Sequence, residues 1–469
     1  MSALSQRRPE GSEGDAGLTP RFWVILLGTA LALRVVFSLL LVAGWPLVSD
    51  GSAYSEQAEV FTRDFGGTEP YYWPPGTSYV LAAVYEPFGA GRVGARIAMI
   101  AVSLLSIVAT VQLAKRVLSD PRAVRLTGWI MALLPSAVFA PAQPFSFDLT
   151  LLGLTLSILF ALMAWDRRQA RWLAAAGLAL GFAATARPGV LSVLIALVPF
   201  GFVAARRAWR GRERPRVRAL AIGTAAFAVC VIGPVVPALV HNSDAGAGTT
   251  ISVNNEGNVF FGNNPYTPHY KTWVHGQHDF SEFGPEAEAY LARFHTFSGD
   301  PERREAMLDE AVDYMVANPG ITAWRTLNRA RAFWGFDYTY SNGLRNDWDA
   351  PLVAVAGAAA LEVGGWVVFG VLALAGLFLA RGLFLSNRLL LLVLVVAAYE
   401  LPHLIAFSAG RWHFPVVGLL APLAAAGAVA LGSPRQAASR LLHNRWLLVA
   451  VIVFGLIQVE YAYFASTSP

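Results

Sequence analysis

Apolar runs recur along this chain, each about as long as the hydrocarbon core of a bilayer, which a helix of about 20 residues crosses. Eleven fall roughly at 22–43, 93–114, 124–141, 146–165, 171–186, 188–205, 217–240, 353–380, 387–408, 412–431 and 445–464. The runs are continuous and do not alternate, which predicts helices and argues against a membrane β-barrel. Arg187-Pro188 interrupts the stretch 171–205. Proline lacks an N–H and biases the residue before it away from helix, so two short helices meeting at a tight turn are expected. The predicted fold class is all-α: a polytopic integral membrane protein of about 11 transmembrane helices with a small, mostly helical outer-face segment.

The polar intervals orient the helices. Arg7, Arg8 and Arg21 precede the first run; Lys115, Arg116, Arg122 and Arg125 follow the second; Arg167, Arg168 and Arg171 follow the fourth. An Arg-rich stretch, Arg206 to Arg218, follows the sixth; Arg381 and Arg388 follow the eighth; Arg435, Arg440 and Arg445 follow the tenth. Every basic loop falls at an even-numbered exit, so all share one side, which the positive-inside rule makes cytoplasmic. The expected organisation is a disordered cytoplasmic tail at 1–20, a transmembrane catalytic module at 21–240 with a first outer loop at 44–92, an outer segment at 241–352, and C-terminal transmembrane helices at 353–469. The first run is too long for a signal-peptide core and is read as a retained helix. Within the outer segment, Pro301 to Asn318 has helical spacing, with Met307, Ala311, Tyr314 and Met315 on one face, and a second amphipathic helix is expected at about Ile321 to Phe333.

Composition sharpens this picture. Of 469 residues, 55% are hydrophobic and 14% charged, and mean hydropathy is +0.48; soluble domains carry about 25% charged residues. The net charge of +5 reads as cytoplasmic loop bias and not as a nucleic-acid footprint. The single cysteine, Cys230, lies in an apolar run, which excludes an internal disulfide and a cysteine metal site and suggests a packing residue. There is no Walker-type phosphate loop or dinucleotide fingerprint, which argues against an ATP-driven pump and against direct use of a nucleotide sugar.

Tracking the chain across the membrane gathers charges at the outer ends of several helices. Asp50 opens the first outer loop, in Trp45-Pro-Leu-Val-Ser-Asp-Gly-Ser-Ala-Tyr54. Glu56 and Glu59 follow on a short amphipathic helix, then the aromatic stretch Pro70-Tyr-Tyr-Trp-Pro-Pro-Gly76. Asp148 sits at the outer end of the fourth span, Arg187 at the turn between the fifth and sixth, and Arg411 and His413 at the start of the tenth, with His403 a little deeper. Intramembrane charges tend to face a bundle interior or a watery cavity. An arginine pair suits a phosphate, whose oxygens accept bidentate guanidinium bonds. A nearby carboxylate could take a proton from an incoming hydroxyl. Plainer roles compete: Asp148 as a helix cap, Arg187 as an interface-seeking side chain, the histidines as packing residues, Glu56 and Glu59 as a solvated helix face, and Tyr71, Tyr72 and Trp73 as an interfacial belt.

Together these residues resemble membrane glycosyltransferases of the C-type fold, in particular the bacterial branch similar to protein O-mannosyltransferases and the lipid A aminoarabinose transferase. Four features carry the resemblance: the acidic loop Ser49-Asp50-Gly-Ser-Ala-Tyr54; Tyr72-Trp-Pro-Pro-Gly76 followed by Tyr79 to Gly89; the Arg187-Pro188 turn; and Gly410-Arg-Trp-His-Phe-Pro415. Asn255-Glu-Gly-Asn-Val-Phe-Phe-Gly-Asn-Asn-Pro265 also looks like an outer-loop motif of bacterial members. Gly51 stands where many relatives have the second acid of an Asp-Glu pair. The resemblance implies a polyprenyl-phosphate sugar as donor and a lipid, glycan or protein as acceptor on the outer face of a bacterial cytoplasmic membrane. It implies Asp50 and Asp148 as functional carboxylates and Arg187, Arg411 and His413 as donor phosphate ligands. Tyr54, Glu56, Tyr72 and Trp73 would line the substrate cavity; from position alone, Tyr266, His269, Tyr270 and Lys271 of the outer segment are candidates near that cavity to influence acceptor choice. Direct displacement would invert the anomeric centre. No compact cluster of carboxylates and histidines demands a metal, so no cofactor, metal-independent transfer and no nucleic-acid partner are expected. A flippase for lipid-linked glycans would instead place charges near the midplane of broken, repeated helices. A glycan ligase or polymerase would share the arginine logic.

Overall fold

The computed structural model describes residues 17–64, 67–210, 214–268, 284–293, 299–385 and 387–467. Among them secondary structure is helical, apart from one isolated bridge between Leu118 and Phe384. Seven helices are long and apolar enough to cross a membrane: α1 (Pro20–Leu41), α4 (Arg92–Val117), α7 (Ser146–Arg167), α17 (Leu352–Leu379), α18 (Arg388–Ile405), α19 (Gly410–Leu431) and α21 (Arg445–Tyr463). Two bent pairs raise the count to nine if each is one span: α5 (Pro121–Leu133) with α6 (Pro135–Ala142), bent by 55°, and α10 (Val217–Ile232) with α11 (Val236–Asp244), bent by 42°. All eleven apolar runs are therefore helical, but length supports seven to nine crossings and not eleven. The shortfall is α8 (Ala170–Ala186) and α9 (Pro188–Val203), which Arg187-Pro188 splits. At a rise of 1.5 Å per residue, α8 covers about 26 Å, less than a hydrocarbon core of about 30 Å.

The break between α5 and α6 shows how the bundle tolerates its irregularities. Pro135 cannot donate to Met131, so backbone carbonyls are left unpaired where no water can reach them. A fully buried arginine from α1 supplies the donors. Arg34 donates to the Met131 and Ala132 carbonyls, both at 3.1 Å, and to Ser103 Oγ at 2.8 Å. Arg96, also buried, repeats the device at the end of α1 that leads to Asp50. Its guanidinium donates to the carbonyls of Val42, Trp45 and Ala142, at 3.0, 2.6 and 3.1 Å.

The two ends of the bundle differ. At one end the chain enters, with Gly17 against Arg125. There Asp166 at the foot of α7 takes ion pairs from Arg116 of α4 and Arg388 of α18, and the Leu118–Phe384 bridge ties the same loops. The basic loops that the alternation assigns to one side do meet. The opposite end carries α2 (Asp50–Arg63), α3 (Gly76–Phe88) and a cap of short helices: α12 (Asn255–Gly262), α13 (Pro285–Ala292), α14 (Pro301–Ala317), α15 (Pro319–Trp334) and α16 (Thr339–Asn346). Helices α14 and α15 fall where the sequence periodicity predicts them, with Met307 and Ala311 buried. The chain ends with α20 (Pro434–His443) at the basic end and α21.

One part of the cap is sunk into the bundle. Glu362, buried in the middle of α17, accepts backbone N–H bonds from Tyr340 at 3.1 Å and Ser341 at 2.9 Å. It thus closes the amino end of α16, where free N–H groups and the helix dipole favour an anion. Gly343 of α16 lies against the Trp45 ring, and the Tyr340 ring faces Phe139 and Phe145. The stretch 335–341, with Gly343 and Leu344, therefore packs into the interior, while Asn342, Arg345 and Asn346 stay exposed.

Candidate active site

Three loop segments converge at the Asp50 end. Gln143 joins two of them: its Nε2 donates to the Pro46 carbonyl at 2.8 Å, and its Oε1 accepts from Val48 N at 3.2 Å. Gly51 is buried against Gln143 and Pro144, where a Cβ would meet Gln143 Oε1 and Pro144 Cδ, each at 3.1 Å. That contact is a physical reason for glycine directly after Asp50. Ser49, just before α2, holds φ at +52°, a region costly for a residue with a Cβ and commonest at functional sites. The turn aims Asp50 into the first turn of α2, half-buried, with Ser49 Oγ 3.4 Å from its Oδ1.

Tyr54, one turn further along α2, is the residue around which the predicted groups gather. It is 3% exposed. Its hydroxyl meets Ser146 Oγ, which also receives Arg187 Nη1 at 3.4 Å. Burial first, and then the Asp50 charge, hold the Tyr54 phenol well above its ordinary value, while Ser146, Arg187 and Arg411 pull it down. Tyr72 is likewise pushed up by burial and by Asp50. Trp73 packs against both, with ring centroids 5.8 Å from Tyr54 and 4.8 Å from Tyr72. Asp50, Tyr54, Tyr72, Trp73, Arg187 and Arg411 thus form one neighbourhood.

The two arginines share an aromatic platform. The Arg187 guanidinium lies 4.5 Å from the centroid of Phe147, and that of Arg411 lies 5.9 Å from the same ring, 6.0 Å from Phe145 and 5.7 Å from Trp412. Cation–π contact is worth roughly 0.5–2 kcal/mol and leaves the N–H edges available. Both side chains are half-buried. Among the described residues no carboxylate lies within 4.0 Å of either guanidinium. Two like charges held on one ring without a contacting acid make a receptor for an external anion.

Asp148 occupies a deeper position. In the first turn of α7 it is 3% exposed, its charge reaches Tyr340 while that of Arg34 reaches it, and its Oδ2 has no hydrogen-bond partner among the described residues. The charge that reaches it is that of the buried Arg34 and not that of Asp50. His413 is also placed differently from its predicted phosphate contact. Its Nδ1 pairs with the Phe333 carbonyl at 2.9 Å, and its ring stacks on Trp366 at 3.5 Å, so it packs α19 against α15 and α17. Glu56 is exposed on α2. Lys271, with His269 and Tyr270, lies outside the described residues.

Sequence reasoning missed Asp337 and Tyr340, in the segment that dips into the bundle. Tyr340 is reached by the charges of Asp148, Asp337, Glu362 and Arg411. Asp337 is 6% exposed and accepts Thr339 N at 2.9 Å. Burial pushes its carboxyl up, while its bonds to Thr339 and the Arg411 charge oppose that shift. Arg411 therefore stands between the Tyr54 neighbourhood and the Asp337–Tyr340 neighbourhood. A lone carboxylate such as Glu362 inside an apolar run was the available signal, because a buried charge there needs a partner. Among the described residues no three His, Cys, Asp or Glu side chains group as a metal site.

Comparison with known proteins bears on this arrangement. A family model described as dolichyl-phosphate-mannose-protein mannosyltransferase matches residues 73–236. No curated protein matches the chain. Among solved structures, the oligosaccharyltransferase of Archaeoglobus fulgidus in the apo form is 14% identical with a TM-score of 0.48; the match covers 95% of this chain and 55% of that one. The chain thus spans about half the length of that enzyme. ArnT from Cupriavidus metallidurans bound to undecaprenyl phosphate is 20% identical with a TM-score of 0.41, covering 87% of this chain and 78% of that one. The matched region 73–236 contains Trp73, Asp148, Phe147 and Arg187, and over it the chain is similar to the dolichyl-phosphate-mannose-protein mannosyltransferases.

Proposed function

We propose that this protein is a membrane glycosyltransferase that moves a sugar from a polyprenyl-phosphate donor to an acceptor on the outer face of a bacterial cytoplasmic membrane. The observation that carries the reading is the pair Arg187 and Arg411, held on Phe147 with no contacting carboxylate among the described residues, and sharing Tyr54 with Asp50. The family match over residues 73–236 supports the same chemistry. The donor phosphate lies against the two guanidinium groups, which neutralise the charge that grows as the sugar–phosphate bond breaks. Phosphate is a good leaving group, so the step needs no strong general acid.

Asp50 accepts the proton of the acceptor hydroxyl as that oxygen attacks the anomeric carbon, and the phosphate leaves from the opposite side with inversion. Tyr54 stays protonated and offers its O–H between Asp50 and the arginines. Trp73 and Tyr72 give a flat apolar wall against which a sugar ring can lie. Positioning by this wall and by the arginine pair supplies the proximity that makes the attack effectively unimolecular. The reading assigns no step to a metal. Asp148 serves by balancing Arg34 beneath the site.

The test is transfer from a panel of short-chain polyprenyl-phosphate sugars by the full chain in lipid nanodiscs, with release of polyprenyl phosphate as the readout. Asp50→Asn should lower kcat by roughly 10²–10⁴-fold with donor binding retained, as loss of a general base does. No turnover across the panel with folded protein, together with donor movement between leaflets, would replace the transferase reading with a flippase.

A further inference from the structure

We propose that the end of α12 at Gly262-Asn263 and the buried Arg329 form a clasp that fixes the position of Arg411, so that a motif of the cap serves the donor phosphate and not the acceptor. The inference rests on the reading of Arg411 as a phosphate-binding residue. Helix α18 ends at Ile405 and α19 begins at Gly410. The residues between them, 406–409, lie outside regular helix, so whatever holds this connection helps set the start of α19, where Arg411 is the second residue.

The last carbonyls of a helix have no partner within it and must find donors. Here the donors come from the cap. Arg329 Nη1 donates to the Leu404 carbonyl at 3.1 Å and to the Ile405 carbonyl at 2.7 Å. Asn263 Nδ2 donates to the same Ile405 carbonyl at 2.9 Å and to Val259 O at 2.9 Å. Arg329 Nη2 closes the ring by donating to Asn263 Oδ1 at 3.1 Å and to the Gly262 carbonyl. A side chain at Gly262 would run into the Ala406 carbonyl, so the two backbones are in direct contact.

The far end of the connection is held by the same helix. Gly410 abuts the Phe336 carbonyl, two residues beyond the end of α15, and its N–H faces Tyr461 Oη at 3.4 Å. Arg329 at the middle of α15 and Phe336 past its end therefore grip the connection on both sides, and Arg411 is the next residue. Arg329 has no exposed surface, so it cannot itself meet a substrate. Its effect on transfer passes through the backbone that carries Arg411, which makes it a positioning residue.

The experiment measures binding of a short-chain polyprenyl phosphate and steady-state transfer for the full chain in nanodiscs, with Arg329→Lys and the milder Asn263→Ala as variants. A lysine reaches one carbonyl where the guanidinium holds several, and alanine removes the amide without touching the arginine. Each change should weaken polyprenyl-phosphate binding and raise the donor KM about tenfold, the size of one lost tethering bond of about 1.4 kcal/mol, with the acceptor KM unchanged. In the Arg411→Ala background neither should add a further loss, because coupled residues are non-additive. If Arg411→Ala weakens binding but the clasp variants bind normally or add fully to it, the clasp is overturned and the site reading stands. If Arg411→Ala leaves binding intact, the site reading fails and takes the clasp with it. Asn263→Ala decides the matter should Arg329→Lys fail to fold.

Discussion

At the scale of single residues, the interior arginines matter as much as those of the site. Arg34 satisfies the carbonyls freed by Pro135 and lies in the field of Asp148. Arg34→Met should destabilise the protein by about 2–4 kcal/mol, since it leaves two buried carbonyls without their donor and removes the charge that offsets Asp148. Adding Asp148→Asn should recover part of that loss. Denaturant or thermal unfolding in a fixed lipid environment checks both, and an unchanged midpoint for Arg34→Met would refute the pairing. Asp50, Arg187, Arg411 and their aromatic neighbours were legible in the sequence because sidedness alone put them at one end of the helices. Arg34, Asp337, Glu362 and Tyr340 were not. Their partners are 100 or so positions away or in a segment whose polar composition reads as an exterior loop, and periodicity carries no information about such contacts. The roles of His413 and Asp148 depend on what their rings and oxygens touch, and spacing is silent on that.

At the scale of elements, the apolar pattern located every long helix, because a helix in lipid must satisfy its own backbone and needs a fixed length to do so. It could not decide how many cross. Proline breaks at Pro135 and Pro188 turn continuous runs into bent pairs or short helices, and only neighbouring donors determine whether a break is a kink or an end. The capping of α16 by Glu362 gives an element-scale prediction. Glu362→Ala removes the acceptor of two N–H groups and should cost about 1–2 kcal/mol, as loss of a helix cap does. It should also raise hydrogen exchange at Tyr340 and Ser341. Glu362→Gln, which keeps one acceptor oxygen, should lose less. Unchanged exchange at those two amides would show that α16 is held by packing alone.

For the whole molecule, the Arg116–Asp166–Arg388 contacts gather basic loops at the end opposite Asp50, and the positive-inside rule predicts that the Asp50 end faces outside. The lone Cys230 makes this easy to check. In a Cys230→Ala background, a cysteine at the exposed Thr68 should react with a membrane-impermeant maleimide on intact cells. One at the exposed Arg122 should react only after permeabilisation. The reverse pattern would put the site on the cytoplasmic side and remove the outer-face acceptor. The cap adds a second whole-molecule feature: helix α15 packs against the last three spans and the loop before Arg411, so the neighbourhood of Arg187 and Arg411 is assembled from both halves of the chain.

The proposed transfer needs both guanidinium groups, Arg187 and Arg411, to hold the donor phosphate. The most direct measurement is equilibrium binding of a short-chain polyprenyl phosphate, without sugar, to the full chain in nanodiscs, comparing the native protein with Arg187→Ala and Arg411→Ala. Loss of a charge-assisted phosphate contact is worth about 1.5–3 kcal/mol. Each variant should therefore bind roughly 10- to 100-fold more weakly, while a polyprenyl alcohol of the same length binds all three proteins alike. Equal binding of the phosphate by all three proteins would contradict the account.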